Sequence, residues 1–121
     1  MQKILFVEDD PTLQKTLCLS LEKEGYEVKP AMDGEIGLST AKEMKPDLIL
    51  LDLILPKLDG FEVLDELKKD DATKDVPVIV LTNLESTQDI EKALALGATN
   101  YLVKANYDLK DVIEKVKDNI K

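Results

Sequence analysis

The segment Asp47–Gly60, which reads DLILLDLILPKLDG, decides the fold of this chain. Its unbroken apolar run, Leu48–Leu51, is typical of a strand that is buried on both faces of a parallel sheet. Asp52 follows where that strand should end, although an isolated carboxylate is costly to remove from water. The sequence therefore predicts that other groups of the chain meet Asp52 and compensate its charge.

Length and composition restrict the class of protein. The 121 residues are 44% hydrophobic and 34% charged, so we expect one globular domain that spans residues 1–121. The net charge of −9 argues against direct nucleic-acid binding and against anionic membrane surfaces. The single cysteine, Cys18, is expected to be a small buried hydrophobe. Because we find neither a signal peptide nor a run of membrane-spanning length, we expect a cytoplasmic protein.

Strand-like and helix-like segments alternate along the rest of the chain. Besides Leu48–Leu51, four short segments are predicted to be strands: Lys3–Val7, Tyr26–Val28, Pro77–Thr82 and Tyr101–Val103. Five amphipathic segments between and after them are predicted to be helices, with Asp10 and Asp59 as N-caps. The fourth helix is expected from about Ser86 to Leu96, with three buried residues: Ile90, Ala93 and Leu94. This alternation implies a parallel sheet, doubly wound by right-handed crossovers and covered on both faces.

Polar residues close four of the five predicted strands. Glu8 and Asp9 follow the first strand, Asp52 the third, Thr82 the fourth and Lys104 the fifth. In a doubly wound sheet these ends share one edge, and ligands bind there at the switch in strand order. We therefore predict a single site at this edge, with the second strand outermost and not part of it.

The residue types in this site favour phosphoryl transfer. Three neighbouring carboxylates need a cation or a raised pKa, and hard oxygen ligands favour Mg²⁺. The chain has no histidine, which removes the usual zinc ligand and the usual general base. A carboxylate can act as a nucleophile toward phosphorus, and a metal ion, an ammonium group and a hydroxyl can stabilise the phosphoryl oxygens. Asp52, the Glu8 and Asp9 pair, Lys104 and Thr82 match these parts.

Four motifs in this order, ILFVEDD, PDLILLDLILPKLDG, VIVLTN and GATNYLVK, strongly resemble the receiver domain of two-component response regulators. The resemblance covers essentially the whole chain. It implies a flavodoxin-like (βα)5 fold with strand order 2-1-3-4-5. It also implies a signalling switch that catalyses only its own phosphorylation and dephosphorylation, with a sensor histidine kinase, a phosphotransfer protein or a small phosphodonor as the source of phosphate.

The resemblance also implies a role for each site residue. Asp52 would be the phosphoacceptor and Lys104 the phosphate-binding lysine, while Thr82 and Tyr101 would switch the surface of helix 4, strand 5 and helix 5. The implied Mg²⁺ ligands are Glu8, Asp9, Asp52 and the backbone carbonyl of Ile54, with Asp9 the more direct of the acidic pair. The switched surface would act on an unidentified downstream protein. It could also pair with a second copy of the domain in a phosphorylation-dependent dimer.

Some of these residues also have ordinary interpretations. Thr82 alone is a good strand former, Lys104 alone could extend to the surface, and Tyr101 alone could be a core residue. Joint placement on one edge favours the site for Thr82 and Lys104, whereas both interpretations of Tyr101 stay open. A phosphorylation-independent interaction module of the same fold is the alternative function.

The chain departs from the family pattern at two positions. Ala105 follows Lys104 where proline in a cis peptide is usual, and the cost of a non-proline cis bond, about 2.5–4 kcal/mol, favours a trans bond here. Asn83 follows Thr82 where a small residue is usual. We expect a local difference after Lys104 and an influence of Asn83 on the switch.

Overall fold

Five strands form the sheet of the computed structural model, which describes residues 1–120. They are β1 (Lys3–Val7), β2 (Glu27–Ala31), β3 (Leu48–Leu51), β4 (Val78–Thr82) and β5 (Asn100–Val103). All pairings are parallel, in the order β2-β1-β3-β4-β5. The helices are α1 (Pro11–Lys23), α2 (Gly34–Met44), α3 (Gly60–Lys69), α4 (Thr87–Ala95) and α5 (Leu109–Asn119), and a 3-10 turn spans Lys104–Asn106. The predicted doubly wound fold and its strand order are confirmed.

Successive strand residues point to opposite faces, and each face has its own core. On one face the strands contribute Leu5, Val7, Ile49, Leu51, Val78 and Val80, which cluster with buried residues of α2, α3 and α4. On the other face Ile4, Phe6, Leu48, Leu50, Ile79 and Leu81 cluster with buried residues of α1 and α5. Because β3 is covered on both sides, its LILL sequence needs no polar position.

Acidic or hydroxyl side chains cap the five α-helices at their N-termini. The caps are Asp10, Asp33, Asp59, Ser86 and Asp108. Asp10 accepts hydrogen bonds from Thr12 N at 3.0 Å and Leu13 N at 3.3 Å, and Asp59 accepts in the same way from the first turn of α3. The predicted capping roles of Asp10 and Asp59 are therefore confirmed.

β2 is longer than the sequence predicted. It runs from Glu27 through Pro30 to Ala31, whereas the prediction gave Tyr26–Val28 with an end near Pro30. β2 is an edge strand, and Glu27 N and Ala31 O bond to the β1 side, so Pro30 lies at a position where its missing N–H faces away from the sheet. A proline at that position does not interrupt the ladder.

The predicted burial of Leu94 is wrong. Its side chain is 47% exposed, while its neighbour Ala93 is fully buried in the core. Adjacent helical residues point about 100° apart, so a helix that presents Ala93 to the sheet turns Leu94 toward solvent.

Cys18 is half-buried, and burial raises the pKa of its thiol to about 11. None of the described helices is long and apolar enough to cross a membrane.

The connection from β3 to α3 lies directly against the starts of two helices. Gly60 N donates to Leu53 O at 2.9 Å, and Gly34 N donates to Pro56 O at 3.2 Å. A Cβ atom at Gly60 would stand 2.4 Å from the carbonyl oxygen of Asp52. The glycine therefore allows α3 to approach the end of β3 closely, which fixes the backbone that carries Asp52.

We predict that Gly60→Ala destabilises the fold by about 1–3 kcal/mol, the range typical of overpacking. The added methyl group would press on backbone atoms of Asp52 and Leu53. Unlike the end of a flexible side chain, these atoms cannot easily move aside. Urea unfolding measures the loss. Glu62→Ala, an exposed change in the same helical turn, is the control, and equal stability of the two variants would contradict the argument.

Candidate functional site

Three carboxylates gather at the carboxyl edge of the sheet, as predicted. Ligand atoms of Glu8, Asp9 and Asp52 all lie within 4.8 Å of one another. Glu8 and Asp52 are buried, whereas Asp9 is exposed. The cluster therefore has two internal acids and one that opens to solvent.

Asp52 is held at the end of β3 by both backbone and side-chain contacts. Its N–H donates to Val7 O at 3.0 Å, which continues the ladder between β1 and β3. Its Oδ1 accepts from Ile54 N at 3.2 Å, and its Oδ2 accepts from Lys104 Nζ at 3.0 Å. These contacts are the compensation that the sequence required, and they leave the side chain only 5% exposed.

Glu8 is the most deeply buried acid of the cluster. Its Oε2 accepts from Asp10 N at 3.1 Å, while its Oε1 lies 2.7 Å from Lys104 Nζ. Burial raises the pKa of the Glu8 carboxyl, and the charge of Asp52 adds to that effect, whereas Lys104 and the Asp10 amide oppose it. Glu8 therefore holds its proton more readily than an ordinary glutamate does.

Lys104 is the ammonium group that lies between the two buried acids. Burial by itself would lower the pKa of this side chain, but its contacts with Glu8 and Asp52 raise the pKa above the usual value. Lys104 therefore stays charged, and one ammonium faces three carboxylates.

The charge and chemistry of this cluster fit a hard divalent cation. Lys104 offsets only one of the carboxylate charges, and the remaining donors are oxygen atoms, which Mg²⁺ and Mn²⁺ prefer. Both oxygens of Glu8 are engaged, Oε1 by Lys104 Nζ at 2.7 Å and Oε2 by Asp10 N at 3.1 Å, so the oxygens of Asp9 are the more open donors. Asp9, being exposed, gives an ion a path into the cluster from solvent.

Thr82 and Tyr101 both bond to the backbone of Leu84. Thr82, fully buried at the end of β4, accepts at Oγ1 from Leu84 N at 3.4 Å. Tyr101 donates from its hydroxyl to Leu84 O at 2.7 Å, and burial raises the pKa of this phenol to about 12. The ring also packs against the core on the α2, α3 and α4 face. The two predicted switch residues are thus linked through one residue of the loop between β4 and α4.

The two departures from the family pattern, at Ala105 and Asn83, change the structure only locally. The Lys104–Ala105 peptide is trans, and Lys104 begins the 3-10 turn while its side chain still reaches Asp52. Asn83 is exposed between Thr82 and Leu84. Lys57 is also exposed and adopts a positive φ of 74° in the connection from β3 to α3.

Sequence reasoning missed one residue at this edge, Gln14 of α1. Its side-chain amide donates to Glu8 O at 3.0 Å and, over a longer distance of 3.4 Å, to Ala31 O. No motif marks this glutamine, because the contact depends on how α1 turns back over the end of β1. The ion pair of Lys104 with Glu8 was likewise not foreseen, since the lysine was expected to bind phosphate.

Solved structures with this architecture define the class. The chemotaxis protein CheY4 of Vibrio cholerae superposes with a TM-score of 0.91 at 28% identity, over 99% of each chain. The Mn²⁺-bound form of response regulator Rcp1 gives a TM-score of 0.83 at 33% identity, over 98% of this chain and 91% of that one. The fold is that of a CheY-like signalling domain.

The sequence comparisons identify the family. The model of the response regulator receiver domain matches residues 4–117, and the chain belongs to that family. Its receiver domains are signalling switches. The DNA-binding dual master transcriptional regulator RpaA of a Synechocystis strain is 41% identical over 117 residues, or 97% of this chain. The chain spans 48% of the length of RpaA.

We predict that Lys104→Met lowers the free energy of unfolding by about 3–5 kcal/mol at neutral pH without metal, because it leaves two buried carboxylates without their cation. The loss should shrink on acidification. The pKa of Glu8 is raised in the folded state, so the folded protein gains stability as Glu8 takes up a proton. A protonated Glu8 no longer needs the charge of Lys104, and the variant then loses less.

Chemical unfolding in a chelator at neutral and mildly acidic pH measures both effects. Lys42→Met is the matched control, because it removes an exposed ion pair, 3.7 Å from Asp70, and should cost under about 1 kcal/mol. Equal losses in the two variants would contradict a special role of the buried pair.

Proposed function

We propose that this domain is a phosphoacceptor switch in which Asp52 receives a phosphoryl group. The observation that supports it best is the pairing of buried Asp52 with Lys104 inside a carboxylate cluster. One ammonium near the nucleophile can bind the incoming phosphoryl oxygens, and the exposed Asp9 keeps the cluster open on one side. We further propose that residues 1–121 form a single receiver domain.

Mg²⁺ is the cofactor we propose, held by Asp9, Asp52 and the backbone carbonyl of Ile54, with Glu8 behind them. Both oxygens of Glu8 already face Asp10 N and Lys104, so Asp9 is better placed for direct coordination. When bound, the ion offsets charge on the phosphoryl oxygens. Rcp1, a structural neighbour, has a Mn²⁺-bound form, which supports a divalent ion as the cofactor of this domain.

The proposed reaction uses the Asp52 carboxylate as nucleophile. A carboxylate oxygen forms a bond to phosphorus while the bond from phosphorus to the donor's nitrogen or oxygen breaks, and that electron pair leaves with the donor. The product is an aspartyl phosphate. Lys104 is within reach of both buried acids and would exchange its contact with Asp52 for one with the new phosphoryl oxygens.

The proposed response travels through Thr82. Its hydroxyl, which now accepts from Leu84 N, would donate to the phosphoryl group and draw the loop between β4 and α4 toward Asp52. Because Tyr101 bonds to Leu84 O in the same loop, the move would also reposition the tyrosine and with it the surface of α4, β5 and α5. Phosphate shifts this equilibrium only by its different affinity for the two arrangements.

The partners we propose follow from this chemistry. A sensor histidine kinase or a phosphotransfer protein would supply the phosphoryl group, and a downstream protein or a second copy of the chain would read the altered surface. The net charge of −9 argues against nucleic-acid binding by this domain itself. RpaA is a DNA-binding regulator, but this chain spans only 48% of its length.

We predict that Asp52→Asn abolishes modification by acetyl phosphate with Mg²⁺ and greatly weakens beryllofluoride binding, because the amide is no nucleophile and carries no charge. Intact-protein mass spectrometry measures modification. Asp10→Asn is the control, since asparagine caps a helix as well as aspartate does. An unmodified wild-type protein would instead support the phosphorylation-independent interaction module.

We predict that Thr82→Ala still binds beryllofluoride but loses most of the response of α4, β5 and α5. Without the hydroxyl, nothing on β4 draws the loop toward the phosphoryl group. Amide chemical shifts with and without beryllofluoride give the readout, and Thr87→Ala, an exposed change at the start of α4, is the control. A full wild-type response in Thr82→Ala would overturn the coupling through this residue.

A further inference from the structure

We propose that Gln14 is a positioning residue for the metal-binding acids, a role that rests on the proposed Mg²⁺ site. Gln14 lies in the first turns of α1, and its backbone N–H donates to Asp10 O at 3.0 Å. Helical side chains lean toward the helix N-terminus, so its amide reaches back to Glu8 O, six residues earlier in the chain, at 3.0 Å. The glutamine therefore spans the segment that carries the acidic pair.

The ladder between β1 and β2 explains why this contact is needed. Its last bond runs from Glu8 N to Ala31 O at 2.9 Å, and β2 ends at Ala31. The carbonyl of Glu8 lies beyond that bond, and Gln14 is the donor that meets it. The same amide nitrogen also lies 3.4 Å from Ala31 O, so one side chain joins the ends of both strands.

This contact controls the direction of Asp9. The carbonyl of Glu8 belongs to the peptide that joins Glu8 to Asp9, so the bond from Gln14 fixes the plane of that peptide. Glu8 is already fixed by Asp10 N and Lys104, but the exposed side chain of Asp9 has no such support from the core. We infer that Gln14 orients the acid that coordinates the metal most directly.

Glutamine suits this position for a chemical reason. Its neutral amide offers two donors to two carbonyl oxygens without adding a charge beside the cation site. Methionine has a similar length but no donor, and asparagine keeps the amide on a side chain one methylene shorter. These two substitutions separate loss of the hydrogen bond from loss of reach.

We expect Gln14→Met to weaken Mg²⁺ binding about tenfold, the lower end of what is typical for groups that orient a metal ligand. The dissociation constant is measured by Mg²⁺ titration, followed through the backbone amide signals of Asp9 and Asp52. Ser20→Ala is the matched control, because it removes a side-chain bond to the backbone carbonyl of Thr16 on the same helix and touches no residue of the acidic cluster. It should bind Mg²⁺ as the wild type does.

Thermal unfolding without metal separates positioning from simple stabilisation. Metal affinity that falls in Gln14→Met while metal-free stability stays near that of Ser20→Ala supports the proposal. Lost stability with wild-type Mg²⁺ affinity overturns it. Should Gln14→Met not fold, Gln14→Asn decides by the same titration. Wild-type protein that binds no Mg²⁺ defeats the proposed metal site itself, an outcome distinct from unchanged affinity in the variants.

Discussion

The contact of Lys104 with Glu8 and Asp52 is the interaction on which the edge of the sheet depends. Glu8 and Asp52 end neighbouring strands, both are buried, and their charges repel. Two buried carboxylates at such a distance need a cation between them or a raised pKa, and Lys104, directly after β5, supplies the cation. The lysine thus joins the end of the chain's last strand to the first and third. Its positive charge offsets the charge of the two buried carboxylates in the absence of a ligand.

Rigidity of the backbone complements this charge balance. Asp52 is bonded to β1 through its N–H, and Gly60 lets α3 press against its carbonyl group. The nucleophile we propose therefore sits on a backbone that is fixed on two sides, while Thr82 and Tyr101 share a loop residue, Leu84, that follows a strand end. In the proposed mechanism, the fold separates a fixed part, which binds the phosphoryl group, from a loop that responds to it.

Much of this molecule could be predicted from its sequence because buried parallel strands leave a clear mark. The apolar run LILL predicted a buried strand, and the acids that follow the strands predicted the edge of the sheet and the residues of the cluster. The contact of Gln14 with Glu8 could not be predicted, since it depends on the path by which α1 crosses β1. Leu94 was misjudged for a related reason: hydrophobicity indicates a helix, but the orientation of that helix decides which apolar residue is buried.

The proline in β2 has a consequence for assembly. An edge strand normally offers free backbone donors to which another chain can add a strand. At Pro30 that donor is missing on the outward side, and the flanking Lys29 and Glu27 are exposed and charged. Growth of the sheet by strand addition at β2 is therefore disfavoured. This edge is therefore a poor template for the fibrillar association that open strand edges invite.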